Sequence, residues 1–230
     1  MAEAKIARNI ARVRERIAQA AARSGRPAEA VTLVAVTKTV EAARIAQAYA
    51  AGVRDFGENY LQEAFAKLGQ PPLDAPDIRW HFIGHLQSNK VKDVIGRFTL
   101  LQSIDSVPLA KEVGKRAQKA GIVQDILLEV KLDVSSGTKY GFAPEAVLEA
   151  AAQIGALPGL RLCGLMGMAP FSANPEQARP YFQHLRRLYV QLPPAAQRYL
   201  SMGMSGDFEV AVEEGANLVR IGTAIFGRRA

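Results

Sequence analysis

Eight short apolar, β-prone runs recur along the chain, with helix-like segments between them. The runs occupy residues 31–37, 53–57, 80–84, 100–104, 126–132, 160–166, 199–202 and 217–222. Helical periodicity marks residues 40–51, 59–68, 106–120, 144–154, 175–192 and 207–214. Strands separated by helices are joined by crossovers, so the alternation predicts a parallel sheet. Eight is the count that closes a (β/α)8 barrel. The competing architecture, an open doubly wound sheet, expects a G-x-G-x-x-G turn opening its first helix, and none occurs. Gly52, Gly121 and Gly215 stand at helix exits just before the next run, where an αL cap is expected. The predicted fold class is therefore α/β, a TIM barrel.

Upstream of the first run, "AEAKIARNIARVRERIAQAAARSG" places Ile6, Ile10, Val13 and Ile17 on one helical stripe. Glu3 and Glu15 interrupt its basic character, which argues for an extra amphipathic helix closed by Gly25 over a transit peptide. No Pro/Gly/Ser-rich linker divides the chain, and the loop-like "GQPPLDAPD" has barrel runs on both sides. The expectation is one domain over residues 1–230, with no second domain after the eighth run.

Composition excludes several classes. No apolar run approaches the roughly 18 residues of a membrane span. A single cysteine, Cys163, rules out an internal disulfide framework and fits a reducing cytosol. The formal net charge of +7 is scattered over Arg12, Arg14, Arg16, Arg186, Arg187, Arg228 and Arg229, without interleaved aromatics. That pattern reads as solvated helix faces and not as a nucleic-acid patch.

In a barrel, chemistry sits at the C-terminal ends of the strands. Lys38 ends the first run, "VTLVAVTK". There it is either a solvated strand-end lysine or a partly desolvated amine able to attack a carbonyl. "SMGMSGD" brings Ser205 and Gly206 to the start of a helix, and "VRIGT" puts Gly222 and Thr223 at the end of the eighth run. Loops after strands seven and eight often hold phosphate in barrels, and small residues leave backbone amides accessible. Arg220 lies inside the eighth run, either paired with a glutamate such as Glu58 or Glu129 or aimed at a ligand in the mouth. His81 falls in a strand and His85 in a loop, a poor arrangement for zinc. Lys139 sits in the glycine-rich "SSGTKYGF", where a solvated loop lysine is the simple reading. Cys163 reads as core, and no Ser-His-Asp or Cys-His arrangement is legible.

A lysine for a Schiff base, a phosphate cup and an arginine in one barrel suggest pyridoxal 5′-phosphate (PLP). The pieces "VAVTKTV", "FGENYLQEA", "HFIGHLQSNK", "SGTKYGF", "GLMGM" and "LSMGMSGDFEVAVEEGANLVRIGTAIFG", in that order, resemble the pyridoxal phosphate homeostasis protein family. The resemblance implies a fold similar to the N-terminal barrel of alanine racemase, with Lys38 carrying the cofactor. It implies that Ser205, Gly222 and Thr223 hold the phosphate, that Arg220 faces the pyridine nitrogen and that Asn59 contributes. It also implies a second or transient cofactor contact at Lys90 and Lys139. A carrier of this kind binds, buffers and hands over PLP without established turnover. It is expected to be cytosolic and monomeric, with apo PLP-dependent enzymes as partners and no nucleic acid or membrane. Arginine cannot protonate the ring nitrogen, which weakens the cofactor as an electron sink. Two enzymatic readings stay open at this point: a single-domain racemase or lyase on the same cofactor, and a cofactor-free barrel aldolase using Lys38 on a sugar phosphate.

Overall fold

The computed structural model of the chain describes residues 2–133 and 140–227. Eight parallel strands close into a barrel in the order β1 to β8, with β8 returning to pair with β1. In chain order the elements are α1 (Ala2–Arg23), β1 (Thr32–Val36), α2 (Ala42–Ala50), β2 (Asp55–Glu58), α3 (Leu61–Lys67), β3 (Arg79–Phe82), α4 (Val91–Val94) and β4 (Leu100–Ile104). There follow α5 (Val107–Lys119), β5 (Gln124–Val130), α6 (Val147–Gly155), β6 (Leu160–Gly167), α7 (Arg179–Tyr189), β7 (Tyr199–Ser201), α8 (Phe208–Glu213), β8 (Leu218–Ile221) and α9 (Thr223–Phe226). All eight expected runs become strands. The short helices α4 and α9 have no counterpart in the sequence reading, because four residues carry no readable period.

The strands form because they are buried on both faces, which favours continuous apolar runs. Their outward side chains meet the helices in one large apolar layer. A smaller cluster fills the barrel itself, built from Val34, Leu100, Leu127, Cys163, Met166 and Leu218. The ladder between β5 and β6 shifts register between Ile126 and Leu128. Gly164 lies beside this shift with φ +144°, and a Cβ there would collide with the Tyr199 carbonyl oxygen.

Helix α1 crosses the seam where β8 meets β1. Its stripe of Ile6, Ile10, Val13 and Ile17 is buried. Arg16 pairs with Glu209 at 2.6 Å and Arg23 with Glu213 at 2.6 Å, both on α8, while Asn9 donates to the Ile225 carbonyl of α9 at 2.8 Å. The helix ends as expected: Gly25 adopts φ +68°, and the amides of Gly25 and Arg26 reach back to the carbonyls of Ala22 and Ala21 at 3.0 and 2.9 Å. Gly52, Gly121 and Gly215 also have positive φ. Among the described residues, no helix is long and apolar enough to cross a membrane.

Candidate functional site

A cavity of about 290 Å³ opens at the C-terminal end of the barrel. Lys38, Asn59, Ser205, Gly206, Arg220, Gly222 and Thr223 all line it. The fold thus gathers residues from β1, β2, β7 and β8, or the loops that follow them, around one space. Val36, Ile83, Met166 and Met168 supply apolar walls, and Phe171 stands almost fully exposed at the mouth. A second cavity, of about 340 Å³, shares Val36, Lys38, Gly222 and Thr223 with the first and continues toward Arg44.

Lys38 is half-buried on a turn that the structure braces from below. The Val40 amide donates to the Thr37 carbonyl at 3.0 Å, which folds the chain back directly after β1. Thr39 is driven to φ +61°, an uncommon conformation for a β-branched residue. Its amide is taken by the Glu63 carboxylate at 2.6 Å. Beneath the turn, Lys67 Nζ donates to the Thr37 carbonyl and to Glu58 Oε1, each at 2.8 Å. The Thr37 hydroxyl donates to the same Glu58 oxygen at 2.5 Å.

This network corrects one expectation. Glu58 is not a partner for Arg220; its carboxylate belongs to Lys67 and Thr37. Burial pushes the Glu58 carboxyl above its ordinary range, although the hydrogen bonds from Lys67 and Thr37 oppose the shift. Sequence reasoning missed Lys67 and Glu63. The signal was the cation at position 67, three residues after Ala64 and on the same face of a helix whose Ala64 is fully buried.

Arg220 is 4% exposed. It donates through Nη1 to the Ser201 hydroxyl and through Nη2 to the Gly167 carbonyl, the latter at 3.0 Å. Burial lowers its pKa to about 10, while Glu129 and Asp207 act to raise it. It therefore keeps its charge at neutral pH. Glu129 is the mirror case: burial raises its carboxyl to about 7 against the pull of Arg220, and Asp105 adds to the rise.

The loop after β7 differs slightly from expectation. Helix α8 starts at Phe208, so Ser205 and Gly206 precede it by a short turn instead of opening it. Asp207 Oδ1 accepts from the Met204 amide at 2.6 Å and shapes that turn. Ser205 Oγ accepts from the Ala224 amide at 3.2 Å, tying the β7 loop to the first turn of α9. Nothing lies within 4 Å of a Cβ built on Gly206, so packing does not demand glycine there.

Lys90 is exposed at the end of the turn Ser88–Lys90 and is not among the residues that line the cavity. Lys139 lies outside the described residues. His81 is buried between Asp55 and Gln102, at 3.0 and 2.9 Å. His85 sits on the rim, 3.3 Å from Asp105 and stacked on Tyr140 with ring centroids 3.6 Å apart. Cys163 is buried, and its thiol is pushed up by burial.

These features define a barrel with a lysine, an arginine and two small-residue loops around one mouth, and comparison with known proteins gives that class a name. Residues 4–230 match the family described as alanine racemase, N-terminal domain. The chain is 45% identical over 223 residues to the pyridoxal phosphate homeostasis protein of Aquifex aeolicus, covering 96% of both chains, and 42% identical over 224 residues to that of Pseudomonas aeruginosa. The structure of PipY from Synechococcus elongatus with PLP bound superposes with a TM-score of 0.83 at 36% identity, covering 96% of this chain and all of that one. A histidine racemase from Leuconostoc mesenteroides shares the fold, with a TM-score of 0.76 at 16% identity. The chain belongs to the pyridoxal phosphate homeostasis protein family.

Proposed function

We propose that this protein binds PLP at the barrel mouth, with Lys38 as its covalent anchor, and buffers and delivers the cofactor inside the cell. The observation that carries the reading is the convergence of Lys38, Arg220 and the loops after β7 and β8 on one cavity. The residues suit the group. Gly206 leaves open space beside Ser205 for a phosphate. Asn59 Oδ1 is a buried acceptor without a hydrogen-bond partner among the described residues, and a ring hydroxyl would supply the donor. Ser205, Gly206, Gly222 and Thr223 would hold the phosphate, Arg220 would face the ring nitrogen, and Asn59 would receive the ring hydroxyl. When bound, the cofactor supplies an aldehyde for Lys38 and a conjugated ring that can accept electrons.

Arg220 supports the non-catalytic reading. A guanidinium that stays charged at neutral pH would donate to the ring nitrogen without protonating it, and the bound cofactor would then supply a weaker electron sink. Storage and transfer then fit better than turnover. We further propose that a single chain suffices, since one chain supplies every group named above. The buried Cys163 is compatible with a cytosolic setting. Apo PLP-dependent enzymes are the proposed recipients, and Lys90 and Lys139 are candidates for a transient contact during release.

Borohydride reduction followed by peptide mapping tests the anchor. The expected result is one pyridoxyl group on Lys38. An adduct mainly on Lys90 or Lys139, with Lys38 unmodified, would overturn the assignment. Incubation of the loaded protein with amino acids tests the rest: sustained racemisation or cleavage would replace the carrier reading with an enzymatic one.

A further inference from the structure

Arg220 is the end of a longer chain of contacts. Its Nη1 donates to Ser201 Oγ. The Ser201 hydroxyl donates to Gln102 Oε1 at 2.6 Å. Gln102 Nε2 lies 2.9 Å from His81 Nδ1, and His81 Nε2 lies 3.0 Å from Asp55 Oδ1. Arg79 then grips Asp55 with Nε and Nη2 at 2.8 and 2.6 Å. Ser201 and Gln102 are fully buried, and His81 is 3% exposed. Since β4 and β7 are separated by two strands in one sense and four in the other, the contact between Gln102 and Ser201 spans the barrel interior. The chain runs from the cavity to Asp55, which lines a separate cavity of about 220 Å³ together with Arg79 and His81.

The direction of every bond in this chain is forced by its ends. A guanidinium has donors only, and an ionised carboxylate has acceptors only. Burial alone would raise the Asp55 carboxyl, but hydrogen bonds from His81 and Arg79 outweigh it and hold it below the usual carboxylate range. Ser201 Oγ must accept from Arg220, so its one proton goes to Gln102 Oε1. That turns the Gln102 amide nitrogen toward His81 Nδ1, which must present a lone pair. The remaining ring proton sits on Nε2 and faces Asp55. No member can reverse without leaving a neighbour unpaired, and an unpaired polar group in a dry interior is costly.

We propose that Ser201, Gln102 and His81 are positioning residues for Arg220, acting as one polarised relay that fixes the guanidinium against the cavity. The proposal rests on the reading that Arg220 faces the ring nitrogen of bound PLP. The relay and the Gly167 carbonyl hold Nη1 and Nη2. That leaves the side chain little freedom to swing, so the ring nitrogen meets a donor already oriented. Through the same bonds, the opposite end of the barrel is coupled to the cofactor.

The test uses PLP-loaded protein and three readouts: the rate of PLP release, the position of its visible band and the thermal melt. Ser201→Ala is expected to release PLP about tenfold faster and to shift the band, as loss of one buried hydrogen bond beside a charge implies. Ser201→Thr keeps a hydroxyl and is expected to stay near wild type. His81→Leu, far from the cofactor, should move both readouts in the same direction. The double variant should be no worse than the stronger single one, because both cut one relay. Effects on release that simply add, or a folded His81→Leu with wild-type band and release, would overturn the proposal. If His81→Leu does not fold, Gln102→Met cuts the relay at its centre and is held to the same outcomes. Nitrogen NMR on the unloaded protein gives a readout independent of PLP: His81 is expected to be unprotonated at Nδ1 and protonated at Nε2. The other tautomer would overturn the relay. An Arg220→Gln protein with unchanged band and release would instead sink the reading of Arg220, and the relay's role with it, even with the His81 tautomer as expected.

Discussion

Lys67 Nζ and Glu58 Oε1 form a buried ion pair 2.8 Å apart under the turn that presents Lys38. Breaking such a pair leaves a charge in a dry site, which typically costs about 3–5 kcal/mol. Lys67→Met is therefore expected to lower stability by about that amount, measured by denaturant unfolding. Adding Glu58→Gln should recover much of the loss by removing the stranded charge. The sign with pH follows from Glu58. Burial already raises its folded pKa, and loss of Lys67 raises it further, so the folded variant binds a proton that the unfolded chain lacks. The deficit of Lys67→Met should therefore shrink as pH falls. A deficit independent of pH would place the damage in packing.

Glu129 gives a second pH signature. Its folded carboxyl titrates at about 7 against an ordinary 4.5, so across that interval the folded protein holds a proton the unfolded chain has released. Where the folded state binds more protons, stability falls as pH rises. The contribution of Glu129 is thus complete below about 4.5 and lost as pH climbs through 7. In unloaded protein, Glu129→Gln should become progressively more stable than wild type across that window. Parallel stability curves would show that Glu129 ionises normally.

Gly84 sets the position of Asn59. A Cβ on Gly84 would lie 2.7 Å from the Asn59 carbonyl carbon and 2.8 Å from its Cα, with its oxygen closer still. These are backbone atoms that cannot rotate away. Gly84→Ala is expected to cost about 1–3 kcal/mol and to weaken PLP retention by displacing Asn59. Wild-type melting and PLP affinity in this variant would show that the loop yields freely.

Ser205→Ala removes the acceptor for the Ala224 amide and one hydroxyl at the proposed phosphate position. Backbone amides of the two loops remain, so PLP affinity is expected to fall by about 1.5–3 kcal/mol without disappearing. Titration of folded apoprotein with PLP measures it. Complete loss of binding would mean that the hydroxyl dominates over the backbone.

The barrel was legible because periodicity reports burial: strands covered on both faces read as apolar runs, and amphipathic helices read as stripes. The strand-end rule pointed to Lys38, Ser205, Gly206, Gly222 and Thr223, Arg220 stood out as a cation inside the eighth run, and Asn59 came from the family resemblance; all seven line one cavity. The layer beneath them was not legible. Lys67 and Glu58 are nine residues apart, while Gln102 and Ser201 lie ninety-nine apart. No local pattern links a glutamine in one strand to a serine across the barrel. Lys90 matched a motif, and the fold puts it on an exposed turn outside the lining of the cavity, a position no local pattern reveals. A motif match reports shared chain, and only the fold decides which side chains meet.

Lys38 follows β1, whereas Ser205 and Thr223 follow β7 and β8, so the mouth straddles the seam that α1 clasps from outside. The pairing of Thr32 with Leu218 joins segments separated by most of the chain, and such closure is the slowest kind to form. A ligand fastened to Lys38 on one side and to the two loops on the other acts as a rivet through that joint. If the cofactor is held as proposed, its residence and the integrity of the barrel would be two views of one quantity: opening of the joint would release the cargo, and loading would hold the joint closed.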